Sequence, residues 1–212
     1  MPSSASSKTS GVGVPVSAHP SRFPWLPAGY VLIVALLLFR LAYIASGAIE
    51  LSKDEAYQWL WSKHLALSYY SKPPLIAYTQ WLGTHLWGDT EFGVRFFSPV
   101  IGAILSLLVL RFMARQANPL TAFILVSAIY TAPLLAVGST LMTVDPLSVL
   151  FWTLAMLAGW RAVQAEPCAG KWAPVGLWVG LGFLSKYTAL AQVACFVVFF
   201  GLYAPARKHL RT

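Results

Sequence analysis

The feature that most limits this chain is a series of apolar runs, each close to the length of a bilayer crossing. A membrane-spanning helix needs about 20 mostly apolar residues. Such runs occupy 26–46, 92–113, 119–139, 146–163, 172–185 and 187–205. The last two are short or poorly separated, which predicts a tilted or broken helix there. In lipid the backbone N–H and C=O groups find no water, so each run must pair them internally as a helix. Nothing in the pattern points to a barrel. Only 10% of the residues are charged, against about 25% in soluble domains, which leaves little surface for water. The expected fold is all-α: a polytopic transmembrane helix bundle of about six spans.

Residues 1–24, rich in Ser, Pro and Gly and without periodicity, read as a disordered tail. The membrane domain then covers 25–212, with a long loop at 46–91. The first apolar run is long and starts well inside the chain, unlike a cleavable signal peptide. The net charge is +8, but the basic residues are dispersed between apolar runs. Without a basic stripe, nucleic-acid binding is excluded. Cys168 and Cys195 form no CxxC pair, so two free thiols are expected and no zinc site. No P-loop is present, and Gly11-Val-Gly13 falls in the tail, so no loop for a nucleotide is recognisable.

Positive charges set the orientation. With a cytoplasmic N-terminus, Lys8, Arg22, Arg111, Arg115, Arg161, Lys171, Arg207, Lys208 and Arg211 fall inside. Lys53, Lys63, Lys72, Arg95 and Lys186 fall outside, and Glu166 is the one acidic residue inside. This bias fits the positive-inside rule. It places the long loop, Asp145 and Lys186 on the same outer face.

The long loop has helical character of its own. Asp54-Glu55 opens a stretch to His64, with acids in the first turn to match the helix dipole. Pro73-Pro74 starts a second stretch, with Leu75, Tyr78, Leu82 and Leu86 at helical spacing. Trp59, Trp61, Trp81 and Trp87 suit the membrane boundary. Two amphipathic interfacial helices are expected on the outer leaflet. Gly176, Gly180 and Gly182 suggest a close helix contact in the fifth run.

Several residues carry chemistry or a plain structural role with comparable weight. Asp54 and Glu55 can deprotonate a hydroxyl, or simply cap a helix. Lys72, fixed ahead of two prolines, can bind a lipid phosphate, or be a solvated loop lysine. Asp145 before Pro146 can face an outer cavity, or be a helix N-cap. Lys186 between two apolar runs can bind an anion, or snorkel. Arg40, inside the first span, requires a carboxylate or phosphate partner. His64 and His85 read as boundary or packing residues, and Arg95 as an outer-surface anchor of the second span.

The order of these motifs resembles a known family. The stretch Asp54-Glu-Ala-Tyr-Gln-Trp-Leu-Trp-Ser-Lys-His through Ser71-Lys-Pro-Pro-Leu75 resembles the first extracytoplasmic loop of GT-C membrane glycosyltransferases. The branch is glycosyltransferase family 39, with the protein O-mannosyltransferases and the aminoarabinose transferases. Gly88-Asp-Thr-Glu-Phe-Gly-Val-Arg95, Leu141-Met-Thr-Val-Asp-Pro-Leu147 and Gly180-Leu-Gly-Phe-Leu-Ser-Lys-Tyr-Thr-Ala189 are similar to later segments, so the likeness runs from about 30 to 205. The resemblance implies transfer of a sugar from a polyprenyl-phosphate donor to an unspecified acceptor at the outer face of a bacterial inner membrane. Asp54 would be the general base, with Glu55 supporting it. Lys72 and Lys186 would hold the donor phosphate and Asp145 would position a substrate, with Tyr69 and Arg40 among the binding residues. No cofactor is required; a divalent cation near Asp54 and Asp145 is the open alternative. Family members continue through several more spans, so this chain is expected to be truncated at its C-terminus. The alternative reading is a non-catalytic relative that binds polyprenyl phosphate or a partner subunit.

Overall fold

The computed structural model describes residues 24–210. The expected disordered tail falls outside these residues except for Pro24. The described part is helical with no strand.

Helix α1 covers Trp25–Ala45. Two helices follow in the long loop, α2 at Lys53–Ser62 and α3 at Leu75–Trp87. A short α4, Glu91–Arg95, runs into α5, Phe97–Gln116. Then come α6, Pro119–Thr131, and α7, Pro133–Gly138. Helix α8 covers Val144–Gln164, α9 Ala173–Ser185 and α10 Ala191–Leu202. Among the described residues, three helical stretches are long and apolar enough to cross a membrane: α1, α4–α5 taken together, and α8. The expected run at 119–139 is interrupted between α6 and α7. Pro133 has no N–H to continue the ladder, and Ala132 before it is pushed to an extended conformation. A second break, at Lys186, separates α9 from α10, where the short, poorly separated runs led one to expect it.

Side-chain contacts give the direction of each helix. Arg111 near the end of α5 donates to the Tyr30 hydroxyl near the start of α1 at 3.2 Å, while Arg95 bonds to carbonyls just beyond the end of α1. Helices α1 and α5 are therefore antiparallel. Trp25 meets Phe123 and Arg40 meets Tyr130, so α6 runs parallel to α1. Phe112 meets Trp160, so α8 runs with α5. Lys186 at the end of α9 reaches Asp145 at the start of α8, so α9 runs back. Gln192 bonds to Trp152 and Gly159 touches Phe196, so α10 follows α8. One end of the bundle thus gathers α2, α3, the 139–145 segment and Lys186.

Packing rather than transfer from water must hold such helices together, because lipid tails are as apolar as Leu. Ile33, Ala103, Leu110, Ala122 and Val126 join α1, α5 and α6. At the loop end, Trp61, Ile76, Ala77, Ile101, Met142, Val144 and Leu147 form a second core. Helix α3 turns Ile76, Ala77, Gln80, Gly83 and Thr84 inward. The stripe of Tyr78, Leu82 and Leu86 faces out, as lipid-facing residues would. A Cβ on Gly83 would lie 2.2 Å from the Gly93 carbonyl oxygen, so only glycine allows α3 and α4 to touch there. In the fifth run only Gly182 makes a close contact; Gly176 and Gly180 face open space.

Candidate functional site

Helix α2 starts with a capping box. Ser52 Oγ accepts from the Glu55 N–H, and the Glu55 side chain accepts from the Ser52 N–H at 3.0 Å. This cap turns the two neighbouring acids in opposite directions. Asp54 is exposed and makes no hydrogen bond or ion pair among the described residues. Glu55 is fully buried.

Glu55 is the centre of a closed polar junction. Arg95 Nε donates to Glu55 Oε1 at 2.8 Å, and Nη2 donates to Oε2 at 2.7 Å. The Met142 N–H donates to Oε1 at 2.9 Å. Arg95 also donates to the carbonyls of Ile49 and Glu50, each at 2.8 Å. Burial alone raises the Glu55 pKa, but the Arg95 bonds and the Ser52 and Met142 N–H groups outweigh it, so the carboxyl is held below the ordinary range. Arg95 is 2% exposed, not the surface anchor expected from sequence. A guanidinium with five donors belongs inside when a carboxylate and two carbonyls surround it. Gln80 Nε2 donates to the Met142 carbonyl at 3.0 Å, and Ser98 Oγ donates to the Leu141 carbonyl at 2.9 Å. The 139–145 segment is thereby tied to α2, α3 and α5.

That segment carries Asp145. Thr143, not Asp145, is the N-cap of α8: its Oγ1 accepts from the Asp145 N–H, which leaves Asp145 in the first turn with its carboxylate free to point away. Lys186 Nζ donates to Asp145 Oδ1 at 2.6 Å, and both side chains are well exposed, 37% for Lys186 and 59% for Asp145.

Asp145 also lines a cavity of about 600 Å³ among α1, α5, α6, α7 and α8. Its walls are mostly apolar, and Arg40 is the cation within it. Arg40 is 8% exposed. Its guanidinium lies 4.9 Å from the centre of the Tyr130 ring, and no carboxylate pairs with it among the described residues. A buried cation in an apolar span without a counter-ion is costly, and an anion entering the cavity would relieve that cost.

The remaining expected residues lie nearby. Lys72 is half-buried at the approach to α3 and makes no bond among the described residues. Tyr69 stacks on Trp61, with ring centres 4.8 Å apart. Its hydroxyl lies 3.1 and 3.0 Å from the Trp61 and His64 carbonyl oxygens and accepts from the Ala66 N–H. That hydroxyl is occupied in shaping the loop. Lys63 pairs with Asp89, whose carboxyl is drawn below its usual range by Lys63 and by the Trp59 indole N–H. His85 stacks on Trp81, and Cys168 and Cys195 are exposed free thiols. Sequence reasoning missed Arg95 and the Met142 backbone as partners of Glu55. The one signal for Arg95 was an arginine at the mouth of an apolar run.

Fold and site together define the class: an all-α bundle with membrane-length apolar helices that carries a buried Glu55–Arg95 junction and an exposed Asp145–Lys186 pair at one end. The comparison with known proteins narrows this. A family profile described as dolichyl-phosphate-mannose-protein mannosyltransferase matches residues 71–212, and the chain belongs to that family. It is 30% identical over 167 residues to the lipid A galacturonosyltransferase RgtD of Rhizobium johnstonii, a match covering 78% of this chain and 35% of the relative. It is 33% identical over 139 residues to the undecaprenyl phosphate-alpha-4-amino-4-deoxy-L-arabinose arabinosyl transferase of Edwardsiella ictaluri, covering 63% of this chain and 25% of that protein. The transferase of the same name from Pseudomonas aeruginosa strain LESB58 is 27% identical over 172 residues, 74% of this chain and 31% of the relative. The chain thus spans about a third or less of these relatives. No solved structure matches.

Proposed function

We propose that the chain bears the site of a membrane glycosyltransferase that moves a sugar from a polyprenyl-phosphate donor to an acceptor at the outer face of a bacterial inner membrane. The observation that carries this reading is Arg40, a buried cation without a carboxylate partner among the described residues, facing an apolar cavity that reaches Asp145. A lipid phosphate fits both properties, an anion for the guanidinium and a hydrocarbon tail for the walls. Family membership and the names of the relatives, which include undecaprenyl phosphate and lipid A, support the same substrate class.

In this reading Asp54, exposed and unpaired, takes the proton from the acceptor hydroxyl. The hydroxyl oxygen attacks the anomeric carbon as the bond to the phosphate oxygen breaks, and polyprenyl phosphate leaves. Negative charge grows on the phosphate, where Lys72, Lys186 and Arg40 stabilise it. Lys186 turns from Asp145 to the phosphate, and Asp145 is then free to position the sugar. Glu55 supports Asp54 from beneath by fixing the start of α2, and Tyr69 supports the loop that presents Lys72. The positive-inside bias puts the N-terminus in the cytoplasm and this end outside.

The test is sugar transfer by the purified chain in vesicles, supplied with radiolabelled undecaprenyl-phosphate sugar and lipid acceptors. Asp54→Asn should lower transfer by about 10²–10⁴-fold with insertion unchanged. Arg40→Met should weaken donor binding. Normal transfer by Asp54→Asn removes Asp54 as the base. Donor binding without any transfer favours the non-catalytic reading, a binder of polyprenyl phosphate or of a partner subunit.

A further inference from the structure

A second cavity lies at the opposite end of the bundle and takes no part in the reaction just described. It is a slot of about 440 Å³ lined by Leu108 of α5, Leu154 and Leu157 of α8, and Trp178 of α9. Arg161 and Lys171 also line it. Arg161 lies sixteen positions after Asp145 on the same helix, a rise of about 24 Å at 1.5 Å per residue. The charged end of the slot therefore lies most of a bilayer core away from the Asp145–Lys186 pair.

Neither cation has an acidic partner among the described residues. Arg161 makes no ion pair among the described residues. Lys171 Nζ donates to the backbone carbonyl of Glu166 at 3.0 Å, which fixes the ammonium and leaves its other N–H groups available. The neighbouring acid thus orients Lys171 through its main chain, and its carboxylate makes no ion pair among the described residues. An exposed Arg161 and a Lys171 held by a carbonyl, both lining an apolar slot, match one kind of occupant: an anionic head on a hydrocarbon tail. A soluble anion would leave the leucine walls unfilled, and an uncharged lipid would leave the cations unpaired.

We infer that this slot binds an anionic phospholipid of the surrounding membrane. Its phosphate sits between Arg161 and Lys171, and an acyl chain lies against Leu108, Leu154, Leu157 and Trp178. This end is the one that the positive charges assign to the cytoplasm, where basic pockets between helices meet anionic headgroups. The lipid would fasten α8 to α9 at that end.

Native mass spectrometry of the full chain, released from nanodiscs containing equal phosphatidylglycerol and phosphatidylcholine, tests this. The wild type should retain phosphatidylglycerol selectively. Arg161→Gln with Lys171→Gln should cut that retention about twenty-five-fold, at fivefold for each cation. Leu157→Trp, which fills the slot and keeps both charges, should also displace the lipid, whereas Arg207→Gln with Lys208→Gln should not. Equal retention of the two lipids overturns the proposal, as does retention indifferent to the double variant. Displacement of the lipid by millimolar inorganic phosphate would reduce the site to a simple anion site. A photoreactive group at Ala158 that labels polypeptide instead of lipid would show that protein covers the slot.

Discussion

Two ion pairs at the same end of the bundle, Glu55–Arg95 and Asp145–Lys186, are built from the same chemistry and do opposite things. The first is buried, bidentate and closed on every side by backbone partners. The second is a single contact between exposed groups on the rim of a cavity. Burial is what separates them. A desolvated pair whose remaining lone pairs are all satisfied has no alternative partner to go to, so it fixes geometry. A solvated pair can exchange one partner for another at little cost, which is what a binding site requires. The closed pair fixes the start of α2, next to Asp54, and holds the segment that bears Asp145; in the proposed function the open pair is the one that meets substrate.

The sharpest way to break this comparison is to remove one half of the buried pair. Glu55→Ala or Arg95→Ala should destabilise the fold by about 3–5 kcal/mol, because the partner is stranded without water. Thermal unfolding in detergent reads this, and a loss under 1 kcal/mol would show that Glu55 is not a keystone. Acid should act on the same group. The Glu55 carboxyl is held below its ordinary pKa in the fold, so its contribution is present above the unfolded value and fades as pH falls through the depressed one. The wild type should therefore lose stability at acidic pH more steeply than Glu55→Gln, which starts lower and lacks this titration.

The exposed pair should respond in function and not in stability. Lys186→Gln should change unfolding by under about 1 kcal/mol, while weakening donor binding about fivefold, measured as the donor KM. Equal loss of stability in Lys186→Gln and Glu55→Ala would erase the distinction between the two regions. The smallest effect belongs to Lys63–Asp89, an exposed pair remote from the cavity lining. Lys63→Gln should leave transfer unchanged, and raising the salt concentration should mimic it in the wild type.

The helices were legible because hydrophobicity is local. The spans at 26–46 and 146–163 follow from composition alone, and α1 and α8 fall within a few residues of them. The break at Pro133 was legible in principle, since proline carries its own reason to end a helix. The helical character of the loop was visible in Asp54-Glu55 and in Pro73-Pro74. Its inward face was not, because α3 buries Gln80 and Gly83 and exposes Leu82 and Leu86. That reversal comes from what surrounds the helix, and no residue records it alone.

The sequence by itself determined an all-helical, membrane-length chain, and its motifs already supplied Asp54, Glu55, Lys72, Asp145, Lys186 and Arg40. It could not assign their states, since Asp54 and Glu55 are adjacent acids of similar chemistry. Tertiary structure decided that Glu55 is sealed against an arginine 40 residues away and a backbone N–H 87 residues away, while Asp54 stays open. The physical reason is that hydrophobic pattern is a property of neighbours along the chain, whereas charge state and availability depend on which groups from distant segments share a buried space.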